Sequence, residues 1–380
     1  MRFLKFNIER PKHFTAVCLA ALSGSLVLGS YGFTRNASTA LFLNTFGAAN
    51  MPYNMAVVPL AMFAAAWLLN KALSRFGSLR ALLLSFLFFL VLLGLALLFI
   101  DGGQSQWAVA LFDIVVQVFV VVMIEQHWSF FNSVLSETQA KTYNGPILTL
   151  LSTGPMITGG LTGLLAEKIG TKGIMLTGLA MILPAMLLMI LAYRLVVSSD
   201  PEEGRRLAAD IGNHARPSNT IYDNLAIIKN TRILQQLVFL TLCSQMVAAT
   251  VACNYNYMLE KAGHSQDYMT AYMGKIWMYS SVITLLCQFL LTPILLRKFS
   301  LRAVLTFVPV LNCVFMLAFA VFPSLGMSAF VYAAYKCLDY AMFKAAKEIF
   351  YIPQSFEVRY KVKQIIDSLL YRLAGGIAAL

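Results

Sequence analysis

Residues 81–100, ALLLSFLFFLVLLGLALLFI, are twenty consecutive positions without a charged side chain. An α-helix of this length crosses the hydrocarbon core of a bilayer, because each residue advances the helix by about 1.5 Å. The whole chain of 380 residues has the same character: 59% are hydrophobic, 12% are charged, and the mean hydropathy is +0.72. Soluble domains carry about 25% charged residues. The sequence therefore predicts an all-α integral membrane protein and excludes a water-soluble fold.

This stretch belongs to an apolar window at 80–100, and ten other windows bring the number of predicted spans to about eleven. They lie at residues 14–33, 51–70, 106–134, 143–166, 173–196, 233–257, 270–296, 303–322, 327–350 and 364–380. A long polar segment at 198–232 separates the sixth window from the seventh. We therefore expect an amino-terminal six-helix half at 1–197, a cytoplasmic linker at 198–232 and a carboxy-terminal half at 233–380.

The basic residues are concentrated in alternate loops. The net charge of +12 comes largely from arginines and lysines after the second, fourth, sixth, eighth and tenth windows, such as Arg75, Lys141, Arg205, Arg297 and Arg359. Basic residues accumulate in cytoplasmic loops of membrane proteins. The pattern predicts a cytoplasmic amino terminus in the inner (cytoplasmic) membrane, and it explains the positive charge without a nucleic-acid partner.

An internal repeat supports the division into halves. Residues 78–83, SLRALL, reappear as SLRAVL at 300–305, and SETQAK at 136–141 corresponds to SFEVRYK at 355–361. Parallel six-helix halves are typical of the major facilitator architecture, in which the substrate site lies between the halves near mid-membrane. This architecture has twelve spans, whereas the sequence reaches Leu380 within the eleventh, so we expect a truncated chain.

Ionisable side chains within the tenth window are candidates for substrate binding, because a charge at the bilayer centre is costly without a partner or a wet cavity. At 100° per residue, Lys336, Asp339, Tyr340, Phe343 and Lys347 share one helical face. We interpret this face as the cation-lined wall of a cavity for an anionic substrate. The alternative is a helix end with snorkelling lysines and an ion pair between Lys336 and Asp339.

The first and fourth windows supply further candidates. Tyr31 and Arg35 share one face, and the Arg35 guanidinium suits phosphate or carboxylate, although an interfacial arginine is the alternative. In the fourth window, Asn132 is a candidate substrate contact, and Glu125 and Asp113 are candidates for a coupling proton. Hydrogen bonds that stabilise the bundle are an equally good explanation for these acids.

Small and aromatic residues in the other windows have less specific roles. The glycines Gly159, Gly160 and Gly163 of the fifth window predict close helix packing or a hinge. Aromatic residues at 254–257 and around Lys275, including Trp277 and Tyr279, could stack on a substrate ring, but an interfacial belt is the favoured interpretation.

No pattern of a soluble catalytic site or a metal site is present in the sequence. It lacks a phosphate-binding glycine loop and a His-Glu-x-x-His motif, and its six cysteines do not have disulfide or zinc spacing. We therefore expect no enzyme activity, no cofactor and no metal, and we expect the protein to act as a monomer in lipid.

Residues 339–353, DYAMFKAAKEIFYIP, resemble the signature of the ATP/ADP translocase family of intracellular bacteria and plastids. The stretch 361–372, which ends in Tyr371 and Arg372, resembles the next helix of that family, and weaker likeness occurs at 34–35, 128–132 and 139–141. The resemblance implies a major-facilitator-like nucleotide transporter of two halves and twelve spans. It also implies that Arg372 contacts the substrate.

The sequence departs from this family at several charged positions. Ser38 and Thr39 stand where the exchangers carry a lysine and an aspartate, Val116 or Gln117 where they carry a glutamate, and Gly375 where they carry a lysine. The remaining candidate cations for a nucleotide are Arg35, Lys275, Lys336, Lys347 and Arg372. The sequence thus predicts a divergent nucleotide transporter, of the ATP/ADP or NTP/NDP exchange type, that works by alternating access. The alternatives are transport of another small organic solute, with proton coupling, or a non-transporting membrane scaffold.

Overall fold

The computed structural model describes residues 11–101, 105–135, 137–199, 227–343, 346–347 and 371–379, and these residues are helical almost throughout. The helices are α1 (Pro11–Phe46), α2 (Met51–Phe76), α3 (Ser78–Asp101), α4 (Trp107–Val134), α5 (Glu137–Ala180), α6 (Ile182–Ser199), α7 (Arg232–Lys261), α8 (Gln266–Leu286), α9 (Thr292–Lys298), α10 (Leu301–Val321), α11 (Leu325–Leu338) and α12 (Tyr371–Ala379). A short 3₁₀ helix, Ala48–Asn50, links α1 to α2. No strand occurs in these ranges, which confirms the predicted all-α class.

Eight stretches among the described residues are long and apolar enough to cross a membrane. One of them, Tyr143–Ser198, contains both the fifth and the sixth predicted windows. Gly170 (φ 75°) interrupts α5 at the boundary between these two windows. The eight stretches therefore cover nine predicted windows. The tenth and eleventh windows correspond to α11 and α12, and both extend beyond the residues that the structure describes.

The chain folds into two compact units. The first unit consists of Met1–Arg35, Phe63–Thr158 and Lys172–Arg216, and the second consists of Asn36–Met62, Gly159–Thr171 and Pro217–Leu380. The second unit thus combines segments from both predicted halves. The division at 197 and 233, which rests on the sequence repeat, stays a prediction.

Aromatic packing organises the first unit. The side chains of Phe86, Phe112 and Phe119 are fully buried, and Phe130 contacts Tyr193 with ring centroids 4.8 Å apart. Lipid is as apolar as these side chains, so close packing rather than water exclusion favours their burial. Several large apolar side chains that are exposed on α3, such as Leu84, Phe88 and Leu98, are suited to contact lipid.

Glycines allow helices of the second unit to approach closely. A Cβ atom on Gly274 of α8 would lie 2.7 Å from the Gly163 nitrogen and 2.8 Å from the Gly159 carbonyl oxygen of α5. Such backbone contacts leave no room for a larger residue. This confirms the close packing predicted from the glycines of the fifth window.

Two π-helical segments interrupt the carboxy-terminal helices. Cys287–Leu291 joins α8 to α9, and Asp339–Phe343 follows α11. Side chains in and beside the first segment satisfy carbonyl groups of the second, since Thr292 Oγ1 donates to the Ala341 oxygen (2.8 Å) and Gln288 Nε2 to the Tyr340 oxygen (3.2 Å). A π turn requires such partners because it disturbs the regular i to i−4 ladder.

Candidate functional site

Arg35 and Asp113 form an ion pair within the first unit. Arg35 Nη1 donates to Asp113 Oδ1 at 2.7 Å, and Gln117 Nε2 donates to Asp113 Oδ2 at 3.0 Å. The Arg35 side chain is 19% exposed, whereas the Asp113 side chain is fully buried. Arg35 lies eleven residues before the end of α1, or about 16 Å along the helix axis. The pair therefore keeps an accessible cation well inside a membrane-spanning helix.

The energetics of this pair depend on both members. Taking a charge out of water costs several kcal/mol, and the partner charge and Gln117 compensate for this cost. Removing one member leaves the other buried without compensation, at a cost of about 3–5 kcal/mol. The contact joins residues that are 78 positions apart in sequence, so only the fold brings the two charges together.

Of the other first-unit candidates, Tyr31 lies near the ion pair, whereas Glu125 and Asn132 lie further along α4. Tyr31 is one turn before Arg35 on α1 and is partly buried. Glu125 and Asn132 are exposed and lie about 18 Å and 28 Å beyond Asp113 along α4. Of the two predicted coupling acids, Asp113 is the one in direct contact with a predicted substrate residue.

Lys336 lies against two aromatic rings in the second unit. Its Nζ atom is 3.8 Å from the ring centroid of Trp277 and 4.7 Å from that of Tyr332. Cation–π contacts at these distances attract an ammonium group by about 0.5–2 kcal/mol each. Lys336 lies eleven residues into α11 and Trp277 eleven residues into α8, so both are about 16 Å from a helix start. The cluster formed by Lys336, Trp277 and Tyr332 is called the cation–aromatic cluster below.

The remaining predicted cations differ in their surroundings. Lys275 is exposed, and its Cγ atom would lie 2.6 Å from a Cβ added to Gly163, so its stem packs against α5. Lys347 is only 3% exposed, with Nζ 6.0 Å from the Phe343 ring centroid. Arg372 belongs to α12, but its side chain lies outside the described part of the structure.

Asp339, the first residue of the π segment that follows α11, is buried and contacts α7. Ser244 Oγ donates to Asp339 Oδ1 at 3.2 Å, and the Tyr335 hydroxyl donates to the Ser244 carbonyl oxygen at 3.2 Å. Two more atoms on α7, Thr241 Oγ1 and Gln245 Nε2, are buried without a hydrogen-bond partner among the described residues. The structure therefore places Asp339 in a polar contact with α7.

The residues of the predicted common face of the tenth window differ in exposure, and the face itself stays a prediction. Asp339 and Phe343 are buried, but Tyr340 is 45% exposed. The π segment Asp339–Phe343 also departs from the 100° per residue that the predicted common face assumed.

Sequence reasoning missed several residues that complete these clusters. Tyr332 lies one turn before Lys336, so helical spacing could have identified it. Ser244 and Tyr335 form a contact between α7 and α11, which no spacing within one helix indicates.

Comparison with known proteins gives the family of this chain. The sequence pattern described as the BT1 family matches residues 76–324, which is more than half of the chain. The chain belongs to the BT1 family. Among curated proteins, no match to the chain is found.

Solved transporter structures share the fold of this BT1 family chain. A mutant of the nucleoside transporter NupG is similar with a TM-score of 0.69 and 13% identity, over 96% of this chain and 89% of that chain. The inward open form of the xylose transporter XylE from E. coli has a TM-score of 0.63 and 13% identity, over 97% and 89%. The POT family transporter PepTSo has a TM-score of 0.66 and 11% identity, over 96% and 88%.

These comparisons confirm the predicted major-facilitator-type fold of a multi-pass membrane protein. At identities of 10–14% they are evidence for the fold and not for a substrate. The resemblance to the ATP/ADP translocase family and the exchange of nucleotides stay proposals.

Proposed function

We propose that this protein transports a small organic anion that carries a planar ring, by alternating access, and that nucleotides are the first class to test. The cation–aromatic cluster carries this proposal. Its Lys336 ammonium group lies beside the rings of Trp277 and Tyr332, about 16 Å from the start of α11. A solute with both a negative charge and a flat ring complements this arrangement.

The sequence resemblance supports nucleotides as the substrate class. Residues 339–353 resemble the signature of nucleotide exchangers. A nucleotide adds phosphate charge to such a ring. Arg35 offers the planar donors that suit phosphate oxygens.

The ion pair between Arg35 and Asp113 favours proton-coupled symport over simple exchange. With Asp113 ionised, the pair is neutral and attracts an anion weakly. A proton delivered to Asp113 removes the competing carboxylate charge and makes the Arg35 guanidinium available to the substrate. Anion and proton would then bind together. This mechanism is the second candidate function beside the ATP/ADP exchange that the resemblance implies.

A ligand series on the purified protein tests the substrate class. The series compares ATP, ADP and AMP with adenosine, which has the ring without the charge, and with inorganic triphosphate, which has the charge without the ring. We expect thermal stabilisation by the nucleotides, and uptake of the same labelled nucleotides into proteoliposomes. Nucleotides that neither bind nor are transported would contradict this class. If a wider set of organic anions also neither binds nor is transported, the scaffold interpretation is favoured.

A further inference from the structure

Two glycines with positive φ begin helical segments at one end of the second unit. Gly47 (φ 78°) precedes Ala48, the first residue of the 3₁₀ helix that leads into α2. Gly170 (φ 75°) precedes Thr171, where α5 resumes after its break. Backbone N–H groups at such helix starts have no intrahelical acceptor. We call this end of the unit, at which α1 finishes, the distal end.

Glu260 accepts a hydrogen bond from the first of these helix starts. The Ala48 N–H group donates to Glu260 Oε2 at 2.6 Å. A Cβ atom on Gly47 would lie 3.0 Å from Glu260 Oε1, so the glycine also makes room for the carboxylate. Glu260 is the second-last residue of α7.

Asp267 binds the second helix start in the same way. The N–H and the hydroxyl of Thr171 both donate to Asp267 Oδ1, each at 2.6 Å. Thr270 extends this contact, because its Oγ1 atom lies 2.8 Å from Thr171 Oγ1. Asp267 belongs to the first turn of α8.

Both carboxylates flank the same turn between α7 and α8. A carboxylate at a helix start gains from the exposed N–H groups and from the positive end of the helix dipole. Charge-assisted hydrogen bonds of this kind are about twice as strong as neutral ones. One short turn thus holds two separate helix starts, from the α1–α2 connection and from α5.

A buried hydrophobic cluster adjoins these carboxylate contacts. Ala48 shares a buried cluster with Leu43 of α1, Leu259 of α7 and Ala329 of α11. Tyr255 belongs to the same cluster and stacks on Tyr332, with ring centroids 4.7 Å apart. The carboxylate contacts therefore lie beside a tightly packed cluster and not beside an open cavity. We call this buried cluster the plug.

We propose that Glu260 and Asp267 are positioning residues for transport, which act as a latch that holds the distal end closed. The latch consists of the contact of Glu260 with Ala48 and the contact of Asp267 with Thr171. This inference rests on the proposed alternating access, in which the distal end opens once per cycle. With the amino terminus in the cytoplasm, the latch closes the extracytoplasmic side.

Labelling of a buried reporter cysteine tests the latch without any substrate. The six native cysteines are replaced, and Ala329→Cys is introduced, because Ala329 is 2% exposed within the plug. A membrane-impermeant maleimide is then added from each side of the membrane in turn. We expect Glu260→Gln and Asp267→Asn each to raise the labelling rate from the distal side about tenfold, since each weakens a hydrogen bond to a charged group.

Two further variants separate the latch from a general effect of charge. Glu167→Gln removes an exposed carboxylate from α5 and should leave labelling unchanged. Ala48→Pro keeps Glu260 but removes the donor N–H, at a helix start that tolerates proline. Combined with Glu260→Gln, it should raise labelling no further than the stronger single variant, because both break one contact. Asp267→Asn remains as an independent variant if Ala48→Pro does not fold.

The outcomes distinguish the latch from the proposed function. Labelling at the parental rate in both Glu260→Gln and Asp267→Asn would overturn the latch, as would an equal increase in Glu167→Gln. Fully multiplicative effects of Ala48→Pro and Glu260→Gln would also overturn it. Increased labelling in a protein that moves no solute supports the latch and contradicts transport instead.

Discussion

Arg35 in the first unit and Lys336 in the second are cations at similar distances from a helix end, but their neighbours differ. Arg35 pairs with the fully buried carboxylate of Asp113, whereas Lys336 lies over the rings of Trp277 and Tyr332. A carboxylate partner can be neutralised by a proton or displaced by a substrate oxygen. Aromatic rings leave the ammonium charge unchanged. We propose that the first region couples transport to a proton and that the second region recognises a ring-bearing anion.

The largest expected effect follows from removing Arg35. Arg35→Met leaves Asp113 buried without its cation, so we expect a loss of about 3–5 kcal/mol of stability together with a loss of transport. Thermal unfolding in detergent measures the stability. The double variant with Asp113→Asn should recover most of the stability but not the transport. Unchanged unfolding of Arg35→Met would show that the pair is energetically unimportant.

The next largest effect concerns the charge of the second region. Lys336→Gln removes the ammonium group but keeps a polar side chain of similar length. We expect the KM for an anionic substrate to rise at least about tenfold, because a charged contact contributes about 1.5–3 kcal/mol. Lys71→Gln is the matched control and should change KM little, because Lys71 Nζ also lies over a ring, 5.1 Å from the Trp67 ring centroid, but belongs to α2 and not to the cation–aromatic cluster. Equal effects of both variants would show that Lys336 has no specific role in substrate binding.

The smallest effect concerns the rings themselves. Trp277→Leu keeps an apolar side chain but removes the face that lies over Lys336. We expect the KM for ring-bearing anions to rise about three- to tenfold, since stacking and cation–π contacts contribute about 0.5–1.5 kcal/mol. Inorganic triphosphate should bind equally to both proteins. A similar loss for the ringless anion would show that Trp277 only supports packing.

The apolar windows predicted the spans well where the helices contact lipid. The windows at 80–100 and 106–134 agree with α3 and α4 within two residues. The first window was expected to end at 33, whereas α1 continues to Phe46. The extension carries the polar residues Asn36, Ser38 and Thr39, which are buried against protein and therefore do not need to be apolar. Hydropathy underestimates helices whose polar face is turned toward the bundle.

The candidate residues were predicted individually, but their contacts were not. Arg35 and Asp113 were identified as isolated charges within spans, since a charge at that depth requires an explanation. Their pairing depends on how α1 and α4 pack, which no local pattern encodes. The same holds for Trp277 and Lys336. The sequence suggested an interfacial position for Trp277 and a cavity wall for Lys336, whereas the structure places them in contact.

Uptake driven by a proton gradient tests the central claim most directly. Proteoliposomes that contain the wild-type protein or Asp113→Asn are given a labelled anion that binds in the ligand series, with and without an inward proton gradient. We predict that the gradient drives accumulation by the wild-type protein, and that Asp113→Asn still exchanges the anion but no longer responds to the gradient. Gradient-driven accumulation by Asp113→Asn equal to that of the wild type would contradict the assignment of coupling to the pair of Arg35 and Asp113.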